Sequence, residues 1–202
     1  MPIEPQDIIA YWIGDVDNNP ELVRKRSKLW YGSNAKIDQE IRERFGKTLL
    51  LAENSELEQW KTSIDGRLAL VIMLDQFTRN LNRGTKDAWK NDNMALEIAE
   101  ETVMQEQHYS LSNFGRVFLY HPFHHAESID AQRQALGLFE ELQQAAAKEW
   151  QESLGNFTDF VKTHGQIVRQ FGRFPHRNKM LLRDSTPEEI EYLTKNSRQY
   201  GQ

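Results

Sequence analysis

Phe157-Thr-Asp-Phe160-Val161-Lys-Thr-His164-Gly-Gln-Ile167-Val168-Arg-Gln-Phe171 is the stretch that decides the fold. Its apolar residues return at steps of three and four, the period of one helix face rather than of a strand. Gly172 follows directly, and glycine readily takes the left-handed turn that ends a helix. One polar group breaks the apolar stripe: His164 sits squarely on it. A histidine in that place is either a hydrogen-bonded core residue or a working group.

The same spacing recurs outward from this stretch. Ile3 to Trp12 reads as a short helix, and Asp15 to Pro20 as a loop. Ile37, Ile41, Phe45, Leu49 and Leu50 mark a helix over about 36–53, and Glu56 to Trp60 a short one. Asp65 to Asn80 is the most apolar helix. Ala88 to Gln107 is the next, with Asp92 or Asn93 interrupting its pattern. Phe114 to Tyr120 gives another turn or two. Pro122 is then placed to open a helix reaching about Lys148, because its missing N–H is not needed at a helix start. Pro175 opens a short helix through Leu182. Thr186-Pro-Glu-Glu189 forms a capping box that starts a last helix, to about Gln199. No tight hairpin turn separates alternating runs. The expectation is one all-α domain over residues 1–202, with antiparallel neighbours joined by short loops.

Composition narrows the function classes. The chain has no cysteine, which excludes a disulfide scaffold, a thiol nucleophile and thiolate metal sites. The longest apolar run, Leu68–Leu74, is far short of the roughly 20 residues of a membrane span. The opening Met-Pro-Ile-Glu-Pro lacks the basic head and apolar stretch of a secretory signal. A soluble, cytoplasmic protein is expected. With 25 basic against 30 acidic residues the net charge is -5, which speaks against nucleic acid as a partner. The charge is uneven, however. His164 to Arg183 carries Arg169, Arg173, Arg177, Lys179 and Arg183 and no acid. Such a cluster can hold one anion without making the protein a general polyanion binder.

Three segments place polar groups inside apolar helices. In Leu68-Ala-Leu-Val-Ile-Met-Leu-Asp75-Gln-Phe-Thr-Arg79-Asn80, a carboxylate follows seven apolar residues, and Arg79 one turn on is its natural partner. The pair is either a structural ion pair or a way of presenting Arg79, Asn80 and Arg83 to a ligand. In Tyr120-His121-Pro-Phe-His124-His125-Ala-Glu127, three histidines and a glutamate crowd together. The zinc spacing His-Glu-x-x-His is absent, Pro122 puts His121 at or before a helix start, and no metal or cofactor is expected. In His164-Gly-Gln-Ile-Val-Arg-Gln-Phe-Gly-Arg173-Phe-Pro-His176-Arg177-Asn178, two guanidinium groups flank a helix start, whose free N–H groups favour an anion.

At these segments the chain resembles a bacterial family known as domain of unknown function 924. The resemblance covers nearly the whole chain, from Tyr11-Trp12 and Leu29-Trp30-Tyr31 to Ser185-Thr-Pro-Glu-Glu189. Its most specific parts are Leu74-Asp-Gln-Phe-Thr-Arg-Asn80, Tyr120-His-Pro-Phe-His-His-Ala-Glu127 and Phe171-Gly-Arg-Phe-Pro-His-Arg-Asn178. It implies helical hairpins stacked in a tetratricopeptide-repeat-like array, and it implies no reaction. Thr78 stands where the family usually has proline, and Ala126 where it has serine. His121 and His124 take positions usually apolar there, which argues against them as family-wide site residues. The resemblance carries over Asp75, Arg79, Asn80, His125, Glu127, His164, Arg173, His176, Arg177 and Asn178.

Three functions fit these residues. In the first, Arg79, Arg173 and Arg177, with Asn80, His176 and Asn178, hold a carboxylate or phosphate of a small molecule. His125 or His164, oriented by Asp75 or Glu127, then moves a proton, since imidazole titrates near cellular pH. In the second, the helices form an interaction module that grips an acidic peptide or protein terminus. In the third, the polar motifs are a buried network that fixes helix register. The first requires that segments far apart in sequence converge on one hollow.

Overall fold

Leu68 to Leu74 has no polar side to turn to water, and a helix apolar all round belongs in the middle of a protein. The computed structural model, which describes residues 2–196, puts it there, with every residue of that run buried. This central helix begins as α4 (Ile64–Val71), widens into a π-helical stretch over Ile72–Phe77, and returns to α geometry in α5 (Thr78–Leu81). Around it stand α1 (Pro5–Trp12), α2 (Glu21–Tyr31), α3 (Ala35–Glu53), α6 (Asp92–Met104), α7 (Asn113–His125), α8 (Ile129–Ala145), α9 (Lys148–Phe171) and α10 (Pro187–Lys195). Among the described residues there is no strand, so the chain is all-α. No helix of the described residues is long and apolar enough to cross a membrane.

Local chemistry sets most helix starts. Ser63, Ser112, Ser128 and Thr186 each accept a hydrogen bond from a backbone N–H of the first turn, satisfying donors the helix leaves open. Glu189 completes the capping box with Thr186. Gly172 ends α9 at φ +70°, a conformation costly for any residue with a Cβ.

Packing follows chain order only in part. α7, α8 and α9 fold back on one another in sequence, whereas α4 is packed between α1, α6 and α7. The N-terminal half is thus organised around one buried helix rather than as consecutive hairpins.

Three expectations about elements are corrected. Pro122 does not open a helix; it lies inside α7. The missing N–H costs one late hydrogen bond, and the packing of Phe114, Val117, Phe118 and His121 carries the helix past it. The break comes at Ala126–Ser128 instead, and the helix expected to reach Lys148 ends at Ala145, with Lys148 opening α9. Second, the helix expected from Pro175 through Leu182 is only a 3-10 turn over Pro175–Arg177; α2, for which no element was expected, follows the Asp15–Pro20 loop, with Trp30 donating its indole N–H to the Trp12 carbonyl at 2.8 Å. Third, Ala88–Gln107 is two elements, a 3-10 turn over Lys86–Trp89 and α6. The α10 end expected near Gln199 lies outside the described residues.

Candidate functional site

The π stretch is where the site begins. A π turn inserts extra backbone into a helix and re-aims the side chains beyond it. Here it carries Asp75 and Gln76, both buried beside α7. One Asp75 oxygen takes the Nδ1 hydrogen of His125 at 2.7 Å, and the other accepts from the Gln76 amide. A carboxylate can only accept. His125 Nδ1 therefore carries the hydrogen, and its Nε2 keeps a lone pair. Among the described residues no side chain or backbone group takes up that Nε2. Burial pushes the His125 pKa well below the ordinary imidazole value, and Arg79, His121, His164 and Arg177 push the same way. The ring is a neutral acceptor held by a buried carboxylate.

Because α7 runs through Pro122, His121 and His125 do share a face, with ring centroids 5.5 Å apart. The placement of His121 before a helix start is thereby corrected. His121 donates from Nδ1 to the Val117 carbonyl at 2.6 Å and accepts at Nε2 from the Tyr31 hydroxyl at 3.3 Å. His124 and His164 complete the group of rings. Burial lowers the pKa of all four.

The arginines arrive from two other elements. Arg79, on α5, lies 3.4 Å from Asp75, but its main partner is Asp92, which it meets with both Nη atoms at 2.7 and 3.1 Å. Asp92 opens α6, where a carboxylate suits the positive helix end. Burial pushes its carboxyl pKa up against the pull of Arg79 and Arg177. Arg177, in the 3-10 turn over Pro175–Arg177, donates to the His125 carbonyl at 2.9 Å and reaches Asp92 at only 3.5 Å. Its guanidinium lies against Phe174 and Trp89, at 4.6 and 5.2 Å from the ring centroids. Its Nε–H is buried with no partner. Burial brings its pKa down to about 10, so it stays a cation at neutral pH.

These side chains wall a cavity of about 200 Å³, with Gln76, Arg79, His121, His125, His164 and Arg177 in its polar lining. Asn80 and His176 reach it too. Asn80 is held by Asp38 at 2.8 Å, and Arg83 pairs with the same carboxylate. Three candidates face elsewhere. Glu127 binds Arg183 through both oxygens and accepts from the Phe174 N–H at 2.8 Å. Arg173 grips Glu189 at 2.7 and 2.8 Å. Asn178 donates to Glu189 and Ser185 and accepts from Arg183. Asp92, Trp89 and Tyr31 were not among the expected site residues. The helix-start pair Asn91-Asp92 was the available signal for the first. Among the described residues no three His, Asp or Glu side chains are placed to hold a metal ion.

Fold and cavity together define a helical protein with a histidine–arginine hollow beside a π-helical turn. The chain belongs to the family described as "Bacterial protein of unknown function (DUF924)", whose model matches residues 8–197. It is similar to the solved structure of a protein of unknown function, ATU0120, from Agrobacterium tumefaciens. The two share 34% sequence identity at a TM-score of 0.79, over 95% of this chain and 97% of that one. No curated protein matches the chain.

Proposed function

We propose that the cavity binds a small molecule through a carboxylate or phosphate and that His125 shares a proton with it. The observation that carries this reading is a set of unused hydrogen-bonding groups on one wall. Arg177 keeps a buried Nε–H without an acceptor, and His125 keeps a lone pair fixed by Asp75. A buried guanidinium donor left open costs stability unless an acceptor meets it. An anion supplies that acceptor, and the low polarity of the hollow strengthens the contact. The lone pair of neutral His125 beside it then takes up a proton from solvent as the anion binds, and the ring shares that hydrogen with the anion. A cytoplasmic setting, consistent with a chain free of cysteine, is part of the same proposal.

A cavity of this size does not suit a peptide. The groove beside it carries Glu21, Glu149 and Glu152 against one basic residue, Arg24, which disfavours an acidic partner.

The test is calorimetric titration with inorganic phosphate and with acetate, repeated in buffers of different ionisation enthalpy. Saturable binding with proton uptake is expected. Arg177→Ala should weaken binding at least tenfold while the helical circular-dichroism signal stays. His125→Gln should remove the proton uptake. Absence of binding by every small anion would sink the reading.

A further inference from the structure

The cavity adjoins a groove of about 600 Å³ between α2 and α9. Trp30, Tyr31 and Phe160 line both spaces. Tyr31 and Phe160 are also large hydrophobic residues left open to solvent, at 46% and 36% exposure. Tyr31 links the two chemically. Its hydroxyl donates to His121 in the cavity wall, while its ring belongs to the groove. Beyond it the floor is Val23 and Phe157.

Resting on the anion-binding reading above, we infer that the ligand is an amphipathic monoanion, with its charged head in the cavity and an alkyl or aryl body along the α2–α9 groove. Three observations converge on this class. The cavity alone is smaller than the roughly 300–1,000 Å³ of ordinary small-molecule sites, and the adjoining groove brings the pair into that range. The lining changes from guanidinium and imidazole at one end to aromatic and aliphatic at the other. The groove's carboxylates, Glu21, Glu149 and Glu152, outnumber Arg24, so a second anionic group at the far end would be repelled. Dicarboxylates and polyphosphates are therefore disfavoured, and single-headed carboxylic acids with an apolar body are selected.

The experiment titrates the full chain with straight-chain carboxylates from acetate to decanoate, below their micellar concentrations, by calorimetry. Affinity should rise about fourfold for each methylene that enters the groove, then level off. Ser27→Trp, which fills the groove, should leave acetate binding unchanged and weaken octanoate at least tenfold. If that variant does not fold, Val23→Asn, which makes the floor polar without adding bulk, reads the same loss. Acetate that binds with no gain along the series overturns this inference and leaves the anion site standing. No binding at any length overturns both. A chain-length gain that survives both groove variants places the tail elsewhere and overturns the inference. So does a self-associated dimer, seen by sedimentation, that covers the groove and excludes octanoate.

Discussion

Arginines of one basic stretch divide between two clusters, and they end in opposite states. Around α10, Arg173 and Arg183 meet Glu189 and Glu127 fork to fork, and Asn178 ties the two pairs together. No buried polar atom of those five side chains lacks a partner. Arg173 holds the Glu189 carboxyl pKa down to about 2. Four residues after Arg173, Arg177 is more deeply buried and less well served, with one firm hydrogen bond, a 3.5 Å contact and an open Nε–H. Residue type does not separate a strut from a binding group here. Leftover hydrogen-bonding capacity beside an open volume does.

The largest way to break this comparison is acid. Burial pushes the His164 pKa down to about 3, and the facing His121, His124 and His125 are shifted the same way. An unfolded histidine titrates near 6.5. Between about 6.5 and 3 the unfolded chain therefore binds protons that the folded one refuses, and stability falls as pH falls through that window. His164 alone contributes about 1.4 kcal/mol per pH unit, and its neighbours steepen the slope. The α10 network is shifted in the same direction but from a lower starting value. Glu127 and Glu189 are lowered from 4.5, so their contribution is lost only as pH falls below about 4.5. Urea midpoints measured from pH 7.5 to 4.5 should stay nearly level at first and drop as pH falls through about 6.5 and below, and His124→Phe should flatten the slope by about one proton. A flat profile from pH 7 to 5 would mean that the histidines are not held neutral by the fold.

Next in size is Asp92→Ala. Asp92 is the shared acceptor of Arg79 and Arg177, and removing it leaves two neighbouring cations in a buried place. A loss of about 3–5 kcal/mol is expected from urea unfolding. A loss under about 1 kcal/mol would show that the cavity cations need no internal counter-charge, and the contrast with the α10 network would collapse.

The parts of this arrangement that could be read from sequence are those fixed by near neighbours. α3, α9 and the Thr186 capping box follow from steps of three and four and from a local side-chain cap. α2 did not stand out, because Arg24, Lys25, Arg26 and Lys28 thin its apolar stripe and its anchor is the contact of Trp30 with Trp12, 18 residues away. Pro122 pointed to a break that tertiary packing overrode. The roles of the polar residues were hardest to read. Asp75 and Arg79 at helical spacing suggested each other, while the firmer partners are His125, 50 residues on, and Asp92, 13 residues on. Glu127 is committed to Arg183, 56 residues away. Such commitments, which decide whether a candidate is spent or available, are long-range and leave no periodic trace.

The smallest stability effect gives the sharpest test of the contrast. Removing one partner of a buried ion pair is costly because it strands the other charge, and the replacement of Arg177 by an apolar side chain of similar length strands none. Asp92 keeps Arg79 through two hydrogen bonds, and Trp89 and Phe174 already offer an apolar seat. Arg177→Met should therefore change unfolding stability by less than about 1 kcal/mol while abolishing the phosphate and acetate isotherms. Arg173→Met should do the reverse, since it strips Glu189 of its fork while leaving the cavity lining intact: the melting temperature falls and the isotherms stay. If both variants lose stability and neither alters binding, the two clusters are one structural network, and the unpaired donor of Arg177 has no ligand to meet.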